Sequence, residues 1–471
     1  MKKMKSIYIL LAAVVFVSSC KKMDENLNVD PNRPTKASGT QLIANAELFL
    51  PDMSSSPFGV HYPQHLSNTS FTDNSRYTTV NFNFYSWYTG PLMNLETVLT
   101  STLDANEGPV VNQVAVAKIL KAYFFWFMTD RWGDIPYSEA LKAKENFTPK
   151  YDKQQDIYNS LFTLLDEANA AIVTGNIKND IVYGGDMTKW KKFGNTIHML
   201  MALRLSKVDA VKGAAEFNKA LNNGIMTANT DNFTYQHLVE QPNENFWYTQ
   251  MNRMGRLWYA VSKPLVDYML PLNDPRLPVY ANKNGAGNYV GLEYGLPGST
   301  TVVIANYSLL GDKLRLQNAP VYLVTYAQAL FARAEAAKLG WIAGGDATAK
   351  TAYESAVQNS ILQWTGSTTG AATYLAQPQV VYDPANAIQQ IATQRWVHLF
   401  LHGYEAWAEW RRTGYPALVA APGANGNRIP RREAYPTQER ANNTANYNAA
   451  AGSFPYGGTD DLNARVWWDK P

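Results

Sequence analysis

Apolar side chains recur at helical spacing over much of the chain. One stripe repeats about every 3.6 residues, which predicts a helix with a single buried face. Its members are Ile157, Leu161, Leu164, Leu165, Ala168, Ala171 and Ile172. Asp152 and Gln155 stand just ahead of the stripe, in positions that predict a capping box for this helix.

Further apolar runs predict a set of helices along the rest of the chain. The predicted segments are 111–128 (apolar on nearly every face), 190–208, 324–338 and 352–364. Gly340 is a suitable stop for the third of these. Asp383 as N-cap and Pro384 as first helical residue predict another helix, which runs without interruption through Leu399 and Gly403 to Trp407.

Several of these segments pair across short connections. Helix 111–131 is expected to pack on helix 152–173, and helix 321–338 on helix 347–364. Alanines stand where the two helices of each pair could touch closely. The spacing resembles tetratricopeptide-type helical hairpins, although no strict repeat of about 34 residues is visible. Long segments rich in Gly, Pro, Asn, Tyr and Trp separate the helices, and loops of such length usually carry function. These segments are 58–90, 230–257, 274–318 and 413–471.

Composition narrows the class of protein. Only 17% of the 471 residues are charged, whereas 13 Trp, 28 Tyr and 18 Phe supply many rings, so most of the chain is expected to fold. The net charge of +3 argues against a large surface for nucleic acid. Cys20 is the only cysteine, which excludes internal disulfides and cysteine-rich zinc sites.

The first residues are typical of an export signal. Lys2, Lys3 and Lys5 precede a short apolar run over 7–17, and small residues lead into Cys20. This ending resembles a bacterial lipobox, which implies a signal peptide over 1–19 and lipidation of Cys20. The following stretch, 21–26, resembles the surface-export signal of Bacteroidetes lipoproteins. Residues 20–38 are interpreted as the lipidated cysteine with a flexible tether.

Catalytic and metal motifs are weak. The pairs His61/His65 and His398/His402 have ligand spacing on a helix, but their apolar neighbours favour structural histidines bonded inside the helix array. There is no zinc-protease motif, no nucleophile elbow and no dinucleotide fingerprint. A glycosidase carboxylate pair stays open because nothing indicates a particular pair. We therefore expect no catalytic residue, no metal and no cofactor.

Aromatic residues suggest where a ligand binds. Seven tryptophans on helical patterns are expected in the core: Trp126, Trp132, Trp190, Trp341, Trp396, Trp407 and Trp410. Rings on polar loops suit the C–H faces of sugars, and also extended peptides. The candidate ligand-binding rings are Tyr85, Trp87, Tyr88, Trp247, Tyr248, Tyr289 and Tyr294. Asp73, Asn74 and Arg76 are candidates for hydrogen bonds to the same ligand.

A family resemblance covers about nine-tenths of the chain. The matching motifs are 131–140 (RWGDIPYSEA), 189–205, 273–277 (NDPRL), 325–337, 403–413 (GYEAWAEWRRT) and 430–439 (PRREAYPTQE). With the lipobox ahead of them, they resemble the SusD/RagB family of nutrient-binding outer-membrane lipoproteins of Bacteroidetes. In that family these motifs mainly build the scaffold: 133–136 turns the chain out of a helix, and Asp274 pairs with Arg276 to order a loop.

The resemblance implies a mainly α fold, in which a right-handed tetratricopeptide-like helical array packs against an irregular loop-rich half. One body would span 39–471. Its scaffold would lie mainly in 40–230 and 320–412, and its ligand half mainly in 231–319 and 413–471. The implied partner is a SusC-like TonB-dependent outer-membrane transporter. Ligand residues of the family lie in variable loops, so only the neighbourhoods of Tyr85 and Trp247 are carried over.

The sequence therefore predicts a non-enzymatic lipoprotein of the outer membrane that faces the cell exterior. It would bind an oligomeric nutrient, with a glycan preferred, and deliver it to the transporter. Three alternatives remain: a peptide receptor of the same family, a surface glycoside hydrolase, and a purely structural lid on the transporter.

Overall fold

A computed structural model describes residues 37–471, and the predicted signal peptide, Cys20 and nearly all of the predicted tether lie outside the described residues. The described chain is mainly helical, as the sequence predicts. Its helices are α1 (Gly39–Glu47), α2 (Tyr85–Trp87), α3 (Met93–Thr100), α4 (Val110–Trp132), α5 (Gln154–Ala171), α6 (Met187–Arg204), α7 (Ala210–Asn223), α8 (Lys263–Met269), α9 (Leu277–Tyr280), α10 (Tyr326–Lys338), α11 (Gly345–Thr365), α12 (Ala371–Leu375), α13 (Ala387–His398), α14 (Gly403–Thr413), α15 (Glu439–Asn442) and α16 (Thr444–Ala451).

Short strands fasten the loops to the scaffold in three antiparallel pairs. The strands are β1 (Leu66–Asn68), β2 (Ile135–Pro136), β3 (Tyr151–Asp152), β4 (Phe233–Tyr235), β5 (Tyr259–Val261) and β6 (Val321–Val324). β1 pairs with β5, β2 with β3, and β4 with β6. The pairs β1–β5 and β4–β6 join segments far apart in sequence, so the loop-rich regions are held at both ends.

Neighbouring helices pack as hairpins. α4 packs on α5 and α10 on α11, as predicted, and α6 forms a third hairpin with α7. α4 is buried along most of its length, which agrees with its all-round apolar pattern. By length and composition it is the one helix of the described region able to cross a membrane, yet 72% of its most apolar window is buried inside the protein. Packing therefore accounts for its hydrophobicity.

The predicted capping box before α5 is wrong. Lys153 occupies the N-cap without a side-chain bond. Asp152 instead accepts hydrogen bonds from the backbone amides of Tyr137 (3.0 Å) and Ser138 (2.7 Å) across the β2–β3 pair. The free amide at the start of α5 is bonded by Asp134, whose carboxylate accepts from Gln154 N at 2.9 Å. Asp134 follows Gly133, which has a φ of +81° and ends α4.

The predicted helix from Pro384 to Trp407 is also wrong, because it is two helices. α13 ends at His398 and α14 begins at Gly403, with Leu401 in the left-handed region at a φ of +67°. A Cβ on Gly403 would lie 2.3 Å from the backbone carbonyl of Gly59. The break brings the chain against the 59–60 backbone, and only glycine permits that approach.

A network of buried ion pairs joins the scaffold helices. Glu409 of α14 contacts Arg204 of α6, Arg395 of α13 and Arg412 of its own helix. The nearby arginines lower the pKa of the Glu409 carboxyl even though burial opposes this. Glu335 of α10 accepts from the same Arg395 and Arg412, so four helices share one set of charges.

The end of the chain is built into the first helical hairpin. The Trp468 side chain is fully buried, and its indole N–H donates to Asp130 of α4 at 2.7 Å. The same carboxylate accepts from Tyr158 of α5 (2.5 Å) and from Arg204 (3.1 Å). The backbone amide of Trp467 donates to the side chain of Gln154. The last residues thus complete a polar centre formed by residues more than 250 positions earlier.

The histidine pairs have the structural role that the sequence favours. His61 bonds the carbonyl of Leu66, His65 that of Trp396, and His398 the hydroxyl of Thr325. All three rings are buried. No cluster of three or more His, Cys, Asp or Glu side chains suited to a metal occurs in residues 37–471.

The predicted contact within 274–276 is also present. Arg276 donates to Asp274 through Nε (2.9 Å) and Nη2 (2.7 Å), and neither side chain is exposed. Arg276 also bonds Gln394 of α13, so the pair ties its loop to the scaffold.

Candidate ligand-binding surfaces

Two of the predicted ligand-binding rings lie in the core, so the expectation that they are open to a ligand is wrong. Trp247 is 2% exposed and packs edge-on against Tyr259, with ring centres 5.1 Å apart. Trp87 is 7% exposed and packs on Phe127 at 5.1 Å. Each ring packs into an apolar cluster of buried side chains.

Two other predicted rings are half-buried at the surface. Tyr248 begins the π-helical segment Tyr248–Arg253, and Tyr289 lies beneath the Lys283 ammonium, 5.7 Å from its ring centre. Neither lines one of the two recesses described below. Their role in binding stays a prediction.

The remaining polar candidates lie on what we call the loop face, formed by 64–76, 254–258, 293–298 and 417–422. Arg76 donates through one nitrogen to the carbonyls of Gly295 (2.9 Å) and Pro422 (2.8 Å), which joins three loops. Asp73 is exposed and lies 3.8 Å from Arg76. Asn74 is half-buried beside it. Asp73, Asn74 and Arg76 thus lie together on the loop face, where the guanidinium of Arg76 is largely committed to holding the loops. Their role in hydrogen bonding to a ligand stays a prediction.

An aromatic pair on the loop face was not predicted. Phe71 is 54% exposed and packs edge-on against Trp258, with ring centres 4.8 Å apart and planes at 84°. The Arg256 guanidinium covers the indole at 4.7 Å from its centre. The backbone amide of Thr69 donates to the Trp258 carbonyl at 2.8 Å, so the two loops are fixed to each other. This platform offers flat apolar surface next to the polar side chains of 73–76.

A recess of about 380 Å³ opens on the same face. Tyr294, one of the predicted rings, forms part of its wall, and its hydroxyl donates inward to the carbonyl of His61 at 2.5 Å. Burial of this hydroxyl raises the pKa of Tyr294 well above its usual range, so the phenol stays neutral. Lys263, Asp267 and Glu293 supply charge at the rim.

A second recess, which we call the tyrosine cleft, contains the other two predicted rings. Its volume is about 330 Å³, and it shares no lining residue with the first recess in the described part of the chain. Tyr85 and Tyr88 form one wall, the connection 136–149 forms another, and α15 forms the third. Phe147, 80% exposed, stands in the connection.

Hydrogen bonds hold the walls of the tyrosine cleft in place. Glu439 accepts from the hydroxyls of Tyr85 (2.5 Å) and Tyr151 (2.6 Å). Tyr88 donates to the carbonyl of Pro136 at 2.5 Å. Burial and the Glu439 carboxylate raise the pKa of Tyr85, so its hydroxyl keeps its proton and remains a donor. The cleft is therefore preformed.

Helical hairpins that carry long, fastened loops with aromatic recesses define a binding protein of the tetratricopeptide-like class. A protein-family model described as "Starch-binding associating with outer membrane" matches residues 31–436 of the chain. The chain therefore belongs to this SusD-like family. The family is one of binding proteins associated with the outer membrane.

Solved structures agree with this assignment. A chitin-binding protein is 29% identical with a TM-score of 0.77, covering 91% of this chain and 98% of its own. A chitin-binding SusD homologue from Flavobacterium johnsoniae is 25% identical with a TM-score of 0.77, covering 92% and 98%. A SusD homologue from Bacteroides thetaiotaomicron is 27% identical with a TM-score of 0.77, covering 92% and 99%. No curated protein sequence matches the chain.

The residues that sequence reasoning missed had weak signals. Phe71 and Trp258 stand in separate loops, and only the β1–β5 pairing brings them together. Phe147 is a single ring among charged residues. Glu439 is noticeable only as part of the family pattern, because its tyrosine partners lie about 290 and 350 residues earlier.

Proposed function

We propose that this protein is a surface-exposed lipoprotein of the outer membrane that binds a glycan without cleaving it and delivers it to a SusC-like TonB-dependent transporter. Membership of a family described as starch-binding and associated with the outer membrane supports the nutrient-binding role. Two of its solved relatives are described as chitin-binding, which favours a glycan over a peptide.

The observation that carries the proposal is the platform of Phe71 and Trp258 on the loop face. A sugar ring has C–H groups on one face and hydroxyls around its edge. The exposed aromatic surface can stack on the C–H face of the sugar. The neighbouring Asp73, Asn74 and Arg256 can hydrogen-bond its hydroxyls. At about 25 cal/mol per Å², covering roughly 50 Å² of ring is worth ~1.2 kcal/mol. With a few hydrogen bonds of about 0.5–1.5 kcal/mol each, micromolar to millimolar affinity follows.

The test is titration of the mature lipoprotein in lipid nanodiscs with starch, chitin, cellulose and other glycan oligomers, and with a peptide library. We expect one glycan class to bind and Trp258→Ala or Phe71→Ala to weaken it about tenfold. Tyr456→Ala removes an exposed ring elsewhere (48% exposed) and is the matched control. Binding of peptides and of no glycan would show that the ligand is a peptide. Conversion of the glycan to shorter products would establish the hydrolase instead.

Delivery and anchoring need a separate test. Cys20→Ser should leave the protein out of the outer-membrane fraction while its purified body still binds the glycan, because lipid is then missing but the loop face is intact. Co-purification with a TonB-dependent barrel supports the transporter partner. A complex with the barrel in the absence of any soluble ligand would favour the structural lid.

A further inference from the structure

The tyrosine cleft is a separate concave site, and the proposed receptor role does not specify which ligand it binds. At about 330 Å³ it lies near the lower end of the range of about 300–1,000 Å³ found for small-ligand sites. Its walls come from α2, the 136–149 connection and α15, all tied by the bonds to Glu439 and Pro136. A space of this size takes one or two sugar units and not a length of polymer.

The charges of the cleft disfavour ionic ligands. Tyrosines aside, Glu439 is the one acidic or basic side chain among its described lining residues. Its carboxylate oxygens already accept from two tyrosines, and the residue is 5% exposed. An anion would find a buried negative charge and no cation. An ammonium group would lose its hydration to reach a carboxylate that is nearly buried and already bonded by two tyrosines.

The uncharged lining combines two kinds of surface. Asn442 lines the cleft and is exposed, whereas the Asn146 side chain already accepts from the backbone amide of Thr148 (3.1 Å) and donates to Glu139 (3.4 Å). Met93 and Leu141 add half-buried aliphatic surface to the lining. An acetamido group needs this combination, since its carbonyl and N–H require amide partners while its methyl requires an apolar contact.

We infer that the tyrosine cleft binds an uncharged N-acetylated sugar unit, with the sugar ring against Tyr85 and Phe147 and the acetamido group at Asn442. The inference rests on the proposed function only in taking the ligand to be a sugar. It adds a second binding site, distinct from the loop face, and the chemical group that this site selects.

Matched oligosaccharides test the selection. N-acetylchitotriose, its deacetylated counterpart and cellotriose differ only in the substituent at one carbon of each ring, which is acetamido, ammonium or hydroxyl. Isothermal titration of the mature lipoprotein in nanodiscs should show binding of N-acetylchitotriose at least about tenfold tighter than of either of the others. Equal or tighter binding of the deacetylated or the hydroxyl form would overturn the inference.

Exposed variants locate the site. Phe147→Ala and Asn442→Ala should each weaken N-acetylchitotriose binding about fivefold to tenfold, with unchanged unfolding midpoints because both side chains project into solvent. Tyr456→Ala, which removes an exposed ring that lines neither recess, is the matched control and should leave this binding unchanged.

The outcomes separate the two proposals. If N-acetylchitotriose binds but only Phe71→Ala weakens it, the cleft is not its site and the receptor role stands. The same holds if only other glycans bind and Trp258→Ala abolishes their binding. If no glycan of any class binds, both the cleft assignment and the glycan receptor fail.

Discussion

Replacing Trp247 with alanine separates a packing role from a ligand role. The indole is 2% exposed and lies between Phe246, Tyr259 and Met251 in an apolar cluster. Removing a buried tryptophan leaves a cavity that the neighbours fill only in part, and such changes cost about 3–5 kcal/mol. Since whole domains are stable by about 5–15 kcal/mol, this loss is a large fraction of the total.

The assay is urea denaturation followed by far-UV circular dichroism, which reports helix and does not depend on the removed indole. Trp258→Ala is the matched comparison, because this half-buried ring lies on the loop face and should cost only about 1–2 kcal/mol. We expect the reverse order in glycan binding, where Trp258→Ala is the damaging change. If Trp247→Ala unfolds within about 1 kcal/mol of the parent and still abolishes binding, the assignment of this ring to the core is refuted.

Two further predictions concern the scaffold. Burial lowers the pKa of His398 to about 3, so the folded protein keeps this ring neutral while the unfolded chain is protonated below pH 6.5. The contribution of this group to stability should be intact above pH 6.5 and fall at lower pH by about 1.4 kcal/mol per pH unit. His398→Gln should therefore reduce the slope of the unfolding free energy against pH by that amount. An unchanged slope would contradict the prediction. Gly403→Ala places a Cβ 2.3 Å from the Gly59 carbonyl and should lower stability by about 1–3 kcal/mol or more, measured by thermal unfolding. Gly285→Ala, where the nearest atom would be 3.2 Å away, is its control, and equal melting temperatures for the two variants would show that the close approach does not constrain the chain.

Features that depend on local sequence were predictable. The apolar run of α4 must be buried somewhere, so a core helix follows from composition alone. The Asp274–Arg276 pair is two residues apart, which makes a contact geometrically simple. The mainly helical fold and the hairpin pairs follow from the same helical spacing.

Features that depend on distant contacts were not predictable. Nothing near Leu399 indicates a break, because the break is set by the approach of Gly403 to a segment more than 340 residues earlier. Asp152 and Asp134 both have the chemistry of a cap, and only the β2–β3 pairing decides which one serves α5. A single sequence cannot choose between them.

The candidate sites show the same division. Ring type and polar surroundings predicted Tyr85, Tyr88 and Tyr294 as surface rings, and all three line recesses, while their binding of a ligand stays a prediction. The same reasoning failed for Trp87, because it lies between Tyr85 and Tyr88 on one helical turn and points to the opposite side. Local composition cannot assign the direction of a ring within a short turn.

The position of Trp468 has a consequence for biogenesis. Translation proceeds from the amino terminus, yet the carboxylate of Asp130 on α4 receives one of its hydrogen bonds from Trp468, which is 338 residues later in the chain. A molecule truncated before Trp468 would lack this indole and leave Asp130 without one of its hydrogen-bond donors. Such a molecule should be cleaved by proteases more readily than one that contains Trp468.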